Sequence, residues 1–326
     1  MMQKSAHFTR RLVLLVTIVV ALVVAHFESN FNAYYFQIII YIGVNVILAA
    51  SLNLVNGFTG QFSLGHAGFM AVGAYTSAVI TSHFGAGGIT ASFVFLGALL
   101  CGGLVASFLG LLVGIPSLRL KGDYLAIVTL GFGEIIRVII QNIDFLGGAR
   151  GFTGIPKLTN FFWVFAFVAI LMYLLSNLIR STYGKGFLAV RDDEVAAEAM
   201  GINTTRYKVI AFVTGAFFAG IAGGLYAHFV TYINPSQFSF VKSIEIVVMV
   251  IVGGMGHNVG VFISALVLTV LPEALRPIAE YRMVIYSLAL VIIMISRPQG
   301  LFGDGEYFKK LLQSFKGKVR ASRARS

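Results

Sequence analysis

Charge is scarce in this chain: of 326 residues only 13 are acidic and 11% are charged, while 58% are hydrophobic. A soluble fold needs more polar surface than that composition supplies, so soluble enzymes and soluble binding modules are excluded at the outset. Cysteine occurs once, as Cys101 within an apolar run, which rules out an internal disulfide and a cysteine-based metal cluster. There is no Gly-x-x-x-x-Gly-Lys-Ser/Thr loop to cradle ATP phosphates, no His-Glu-x-x-His and no Gly-x-Ser-x-Gly. His66 and His257 stand too far from other ligand types to argue for a metal. The chain is accordingly read as having no catalytic residues, no metal and no cofactor of its own. Nor is any segment between apolar runs long enough to fold into a solute-capturing domain.

What the chain has in abundance is apolar runs long enough to cross a bilayer, with a mean hydropathy of +0.88. They cover residues 12–27, 34–55, 62–84, 89–114, 124–142, 161–179 and 207–230, then 241–271 broken by glycines at 253–260, and finally 283–295. Pro116 is expected to end the fourth run and Arg297-Pro298 the last. This predicts an all-α polytopic membrane protein of about ten transmembrane helices, some short or broken. It forms one membrane domain, with a bundle over 12–303 and a basic tail over 304–326. The broken pair at 241–271 either crosses fully or is re-entrant. The 36 glycines suit close helix packing in lipid.

The net charge of +11 would suggest nucleic acid in a soluble protein, but here the basic residues flank apolar runs, so no nucleic-acid partner is expected. With the N-terminus inside, Lys4, Arg10, Arg11, Arg119, Lys121, Arg180, Lys185, Arg191, Arg206, Lys208, Arg297 and the basic tail all fall on the cytoplasmic side. Only Arg150, Lys157, Lys242, Arg276 and Arg282 fall outside, so the positive-inside rule favours both termini in the cytoplasm. The tail is then placed to lie on anionic lipid.

Polar residues inside such runs need a reason. Glu134 lies about ten residues past Tyr124, hence ~15 Å along the helix and near the bilayer midplane. Arg137 follows at i+3 and can pair with it. The two either lock helices together or contact a solute. Asn45, Ala49, Asn53 and Asn56 share one helical face, which either lines a route or makes interhelical hydrogen bonds. Between the second and third runs, 57–68 carries four glycines with Gln61, Ser63 and His66. It reads as a cytoplasmic turn or as a broken helix of the kind that forms transporter binding regions.

The most polar stretch runs from Arg191 to Asn203. Asp192, Asp193 and Glu194 sit where a helix N-terminus favours negative charge, and Gly201 sits where a helix would end. Val195, Ala199 and Ile202 make one face apolar, with Glu194 and Glu198 elsewhere. This cytoplasmic helix of about 192–201 is either a solvated loop helix or a docking element for another protein.

Together the segments 57–68, 122–137, 191–203, 253–256 and 297–301 resemble the permease subunits of branched-chain amino-acid ABC importers, within the wider group that includes ribose-type sugar and urea permeases. Glu194-Val195-Ala196-Ala197-Glu198-Ala199-Met200-Gly201 is similar to the Glu-x-Ala-Ala-x-x-x-Gly core that such importers place against their ATPases. The resemblance covers nearly the whole chain, and 122–137 favours the longer of the two paired permease types. It implies the ABC importer permease fold in a bacterial inner membrane. It implies ATPase coupling by Arg191, Glu194, Ala196, Ala197, Glu198 and Gly201. Its implied partners are a second permease, two ATPase subunits that bind the ATP, and a periplasmic or extracellular substrate-binding protein. Leucine, isoleucine or valine is the implied substrate, with Asn45, Asn53, Gln61, Ser63, His66, Glu134 and Arg137 as path candidates. A urea or amide permease remains the nearest alternative. A carrier coupled to an ion through Glu134 or Glu245, and a membrane scaffold without transport, come from other classes.

Overall fold

The computed structural model describes residues 32–85, 89–118 and 122–278, with isolated positions at 19, 21–25, 120, 281, 284–285, 287–288, 291–292, 295 and 300. The expected runs at 12–27 and 283–295 lie largely outside the described residues, and the tail lies wholly outside them.

Among the described residues every regular element is a helix, and the extended pairing is a single bridge between Phe152 and Ile233. Helix α1 (Ala33–Asn53) is capped by Asn32, whose side chain accepts from the Tyr34 amide at 3.0 Å, and it runs on into a π-helical turn, Leu54–Phe58. Then come α2 (His66–Phe84), α3 (Ile89–Ser117), α4 (Asp123–Gln141) and α5 (Phe161–Arg180). Two short helices, α6 (Thr182–Asp192) and α7 (Glu194–Ala199), lead into α8 (Thr204–Val230). The hairpin of α9 (Phe240–Gly253) and α10 (Asn258–Ala274) closes the described bundle.

Five helical stretches are long and apolar enough to cross a bilayer: Ala33–Phe58, Thr90–Ser117, Phe161–Arg180, Thr204–Val230 and Pro235–Gly253. Helix α10 is apolar but shorter. The chain is thus a multi-pass helical membrane protein, and the described residues carry five such spans rather than ten. Helices α2 and α4 occupy expected runs outside this set. The first carries Ser, Thr, His and Gly residues, and the second carries Asp123, Glu134 and Arg137.

The core forms where α2, α3 and α8 cross. A Cβ on Gly73 would collide with the Gly220 backbone, and one on Gly223 with the Met70 carbonyl, so the α2 and α8 backbones meet directly. Phe95, Leu99, Ile221 and Leu225 fill the space around this contact. Small residues permit such approach where lipid offers no hydrophobic drive between helices. Facing outward, Phe93, Leu104, Phe108, Leu112, Ile127 and Ile139 make an apolar belt that suits lipid, not water.

Two helix boundaries differ from expectation. Helix α3 continues through Pro116 to Ser117, because a proline in the last turn removes only one ladder bond and Leu118 still donates to Gly114 at 2.8 Å. Helix α2 starts at His66 rather than near 62. Asn56 accepts from the Ser63 amide at 3.2 Å and donates to its carbonyl at 3.4 Å, so a side chain takes the place of the helical ladder.

Candidate functional site

Three segments distant in sequence meet at one end of the bundle. The π turn after α1 brings Gly57 against the backbone of Gly256, in the turn between α9 and α10, where no Cβ would fit. Asn53 braces the contact: its Oδ1 accepts from the Gly256 amide at 2.8 Å and its Nδ2 donates to Asn258 at 3.1 Å. Arg191, at the end of α6, donates to the Gly57 carbonyl at 3.5 Å, and a Cβ on Gly60 would touch its side chain. The stretch after α1 is therefore packed irregular backbone, not a free turn. Buried irregular backbone is the arrangement membrane proteins tolerate.

Within it, Ser63 is buried and held by Asn56, and the His66 ring meets Ser51 Oγ at 2.9 Å. Gln61 is 5% exposed, and neither polar atom of its amide has a hydrogen-bond partner among the described residues. His66 and His257 do not share an environment, since the first is buried and the second exposed.

Beside this junction stands α7. Asp193 breaks it from α6 and caps it, accepting from the amides of Val195 at 2.9 Å and Ala196 at 3.1 Å. The helix spans Glu194–Ala199 rather than 192–201, and Gly201 follows in the left-handed region at φ 82°. Both its acids turn back to the start of α8. Glu194 pairs with buried Lys208 at 2.6 Å, and Glu198 accepts from the Thr204 hydroxyl at 2.6 Å. Ala197 is buried against the chain itself, whereas Ala196 faces out, and Val195 and Met200 are 67% and 82% exposed. The outward face is therefore apolar, and the chain itself occupies the Ala197 side.

Nearer mid-bundle, Arg137 and Glu134 form the expected pair at 2.7 Å on α4. The other Glu134 oxygen accepts from the Phe240 amide at 2.9 Å, the first residue of α9, where a helix N-terminus favours an anion. Asn45 donates to Thr269 on α10 at 2.9 Å and accepts from Lys242 on α9 at 3.4 Å. It lines a cavity of about 380 Å³ that Lys242, Glu245, Thr269 and Glu273 also reach. Lys242 and Thr204 were not read as functional in the sequence. Lys242 and Glu245 stand at i, i+3 in an apolar run, the same signal that singled out Glu134 and Arg137. The contacts of Lys208 and Thr204 with α7 carry no local signal.

The family model described as "Branched-chain amino acid transport system / permease component" matches residues 34–295. The high-affinity branched-chain amino acid transport system permease protein LivM of Escherichia coli is 38% identical, over 79% of this chain and 67% of its own length. Its Salmonella typhimurium counterpart is 36% identical over the same shares. LivH of Escherichia coli, a permease protein of the same named system, is 26% identical over 81% of this chain and 92% of its own length. No solved structure matches.

Proposed function

The chain belongs to the family of branched-chain amino acid transport system permease components, and on that premise we propose that it is the membrane-spanning permease subunit of an ATP-driven importer of leucine, isoleucine or valine. It works beside a second permease, a pairing supported by the LivM and LivH names among its relatives. Two cytoplasmic ATPase subunits bind and hydrolyse the ATP, and a periplasmic or extracellular binding protein delivers the substrate. The chain lies in a bacterial inner membrane as one domain of about ten crossings, with both termini cytoplasmic.

The observation that carries the coupling role is how α7 is held. An apolar tip, Val195 and Met200, projects from a short helix whose acids are fastened to Lys208 and Thr204 of α8. Force applied to that tip by an ATPase passes to α8 through these contacts. Through Arg191 it reaches both the break after α1 and the turn before α10. Residues Arg191, Glu194 and Glu198 transmit, while Ala197 and Gly201 let the helix fit and the chain turn. Of the acids an ion-coupled carrier could use, Glu134 has both oxygens engaged, by Arg137 and by the Phe240 amide.

The test is reconstitution of both permeases, the ATPases and the binding protein in proteoliposomes. ATP-dependent accumulation of radiolabelled leucine is expected. Accumulation of urea or an amide instead, or ion-driven uptake by this chain alone, overturns the reading.

A further inference from the structure

We propose that the cavity between α1, α2, α8, α9 and α10 is a binding site for a zwitterionic α-amino acid, in which Lys242 receives the carboxylate and Glu245 and Glu273 receive the ammonium group. This rests on the transport reading above and locates the cargo within it.

The cavity holds about 380 Å³, within the ~300–1,000 Å³ range of small-ligand sites. Three formally charged side chains reach it from two helices, Lys242 and Glu245 from α9 and Glu273 from α10. Charged side chains among membrane helices commonly face a bundle interior or a wet path. A pair serving only to neutralise itself does not require an open space beside it. Lys242 Nζ lies 3.1 Å from Glu245 Oε2 and 3.4 Å from Asn45 Oδ1, and an ammonium has three donors, so one remains for a ligand oxygen. One oxygen of Glu273 accepts from Tyr34 at 2.6 Å, leaving the other for a ligand.

Carrying one cation and two carboxylates side by side, the wall matches a ligand with both signs on neighbouring atoms. A simple anion meets two carboxylates, a simple cation meets Lys242, and an uncharged amide satisfies neither. Val44, Met70, Met249 and Leu268 also line the cavity, an apolar surface for an aliphatic side chain. Its two methionines adapt to more than one branching pattern.

The test uses the assembled importer in lipid without its binding protein, so that ligand choice belongs to the membrane subunits. In a Cys101→Ser background, Thr269→Cys is reacted with a small methanethiosulfonate reagent. L-leucine is expected to slow the reaction, while leucinamide and N-acetyl-leucine, each lacking one charge, should need about tenfold more for equal protection, as loss of a charge-assisted hydrogen bond implies. Lys242→Met should remove protection by leucine while labelling continues. If that variant fails to assemble, Glu245→Gln and the analogue series on the Thr269→Cys protein carry the same test. No labelling at position 269, equal protection by all three compounds, or protection unchanged by Lys242→Met overturns the site. ATP-driven leucine uptake without protection overturns the site and leaves the transport reading standing. Protection by another zwitterion without leucine uptake does the reverse, and absence of both overturns both.

Discussion

The Glu134 carboxylate serves two donors at once, the Arg137 guanidinium at 2.7 Å and the Phe240 amide at 2.9 Å. The i, i+3 spacing made the first contact legible from sequence. The second joins positions 106 apart and depends on where α9 begins, which local pattern does not specify. The pair is partly buried, with side-chain exposures of 25% and 31%. Glu134→Gln should therefore cost about 2 kcal/mol, below the ~3–5 kcal/mol of breaking a fully buried pair. Thermal unfolding of the purified complex in detergent measures it. Adding Arg137→Met should recover most of the loss, since no unpaired cation is left. Full recovery is not expected, because the neutral amide is a poorer partner for the α9 N-terminus. A double variant as unstable as the single one would show that the pair is not the source of the stability. The Asn residues of α1 and the π turn after it follow the same lesson. Their shared face was visible, yet Asn53 and Asn56 brace backbone while Asn45 reaches the cavity, a division set by their neighbours.

At the scale of elements, α7 shows where pattern misleads. Its acids sit at the start of a helix as the sequence required, but the small residues do not all face one way. Ala197 packs inward and Ala196 outward, because the bonds from Glu194 and Glu198 to α8 fix the helix's rotation. Two classes of variant should therefore separate. Val195→Asp and Met200→Asp alter only the outward tip and should leave insertion and thermal stability intact while reducing ATPase co-purification and uptake together. Ala197→Leu overfills a packed site and should destabilise the chain itself by about 1–3 kcal/mol. Gly201→Ala belongs with the second class for another reason. Nothing lies within 4 Å of its Cβ position, yet φ is 82°, so backbone strain of about 1–2 kcal/mol is the expected loss. Normal assembly and uptake in both tip variants would remove α7 from the coupling role. The break at 57–68, after α1, was legible as glycines. Its π turn was not, since Gly57 packs on the distant Gly256 backbone, and the exchange between Asn56 and Ser63 follows no helical spacing.

Across the whole molecule, the contacts sort the loops into two sets independently of charge. Gly57, Arg191, Gly256 and Asn258 gather at one end. At the other, Tyr232 donates to the Arg150 carbonyl at 2.8 Å, Asn234 to that of Ala149 at 3.1 Å, and Phe152 bridges to Ile233. The charge pattern of the sequence puts Arg191 and Arg150 on opposite sides, and the contacts put them at opposite ends. Apolarity marks a span only where lipid is its solvent. Helix α2 is largely enclosed by protein and carries Ser, Thr, His and Gly among its apolar residues, and α10 is too short to show from length whether it crosses. Four single cysteines in a Cys101→Ser background decide the matter. Ala149, Met200, Met255 and Ala274 are all exposed and lie in different loops or helix ends. A membrane-impermeant maleimide on intact cells should label Ala149→Cys and Ala274→Cys. Met200→Cys and Met255→Cys should react only after permeabilisation, the former more slowly when ATPase subunits are bound. Reaction of Ala149→Cys and Met200→Cys from the same side would break the single crossing assigned to α5 and the orientation with it. A Met255→Cys variant that reacts from neither side would make α9 and α10 a re-entrant hairpin that stops inside the bilayer, and the crossing count would fall by two.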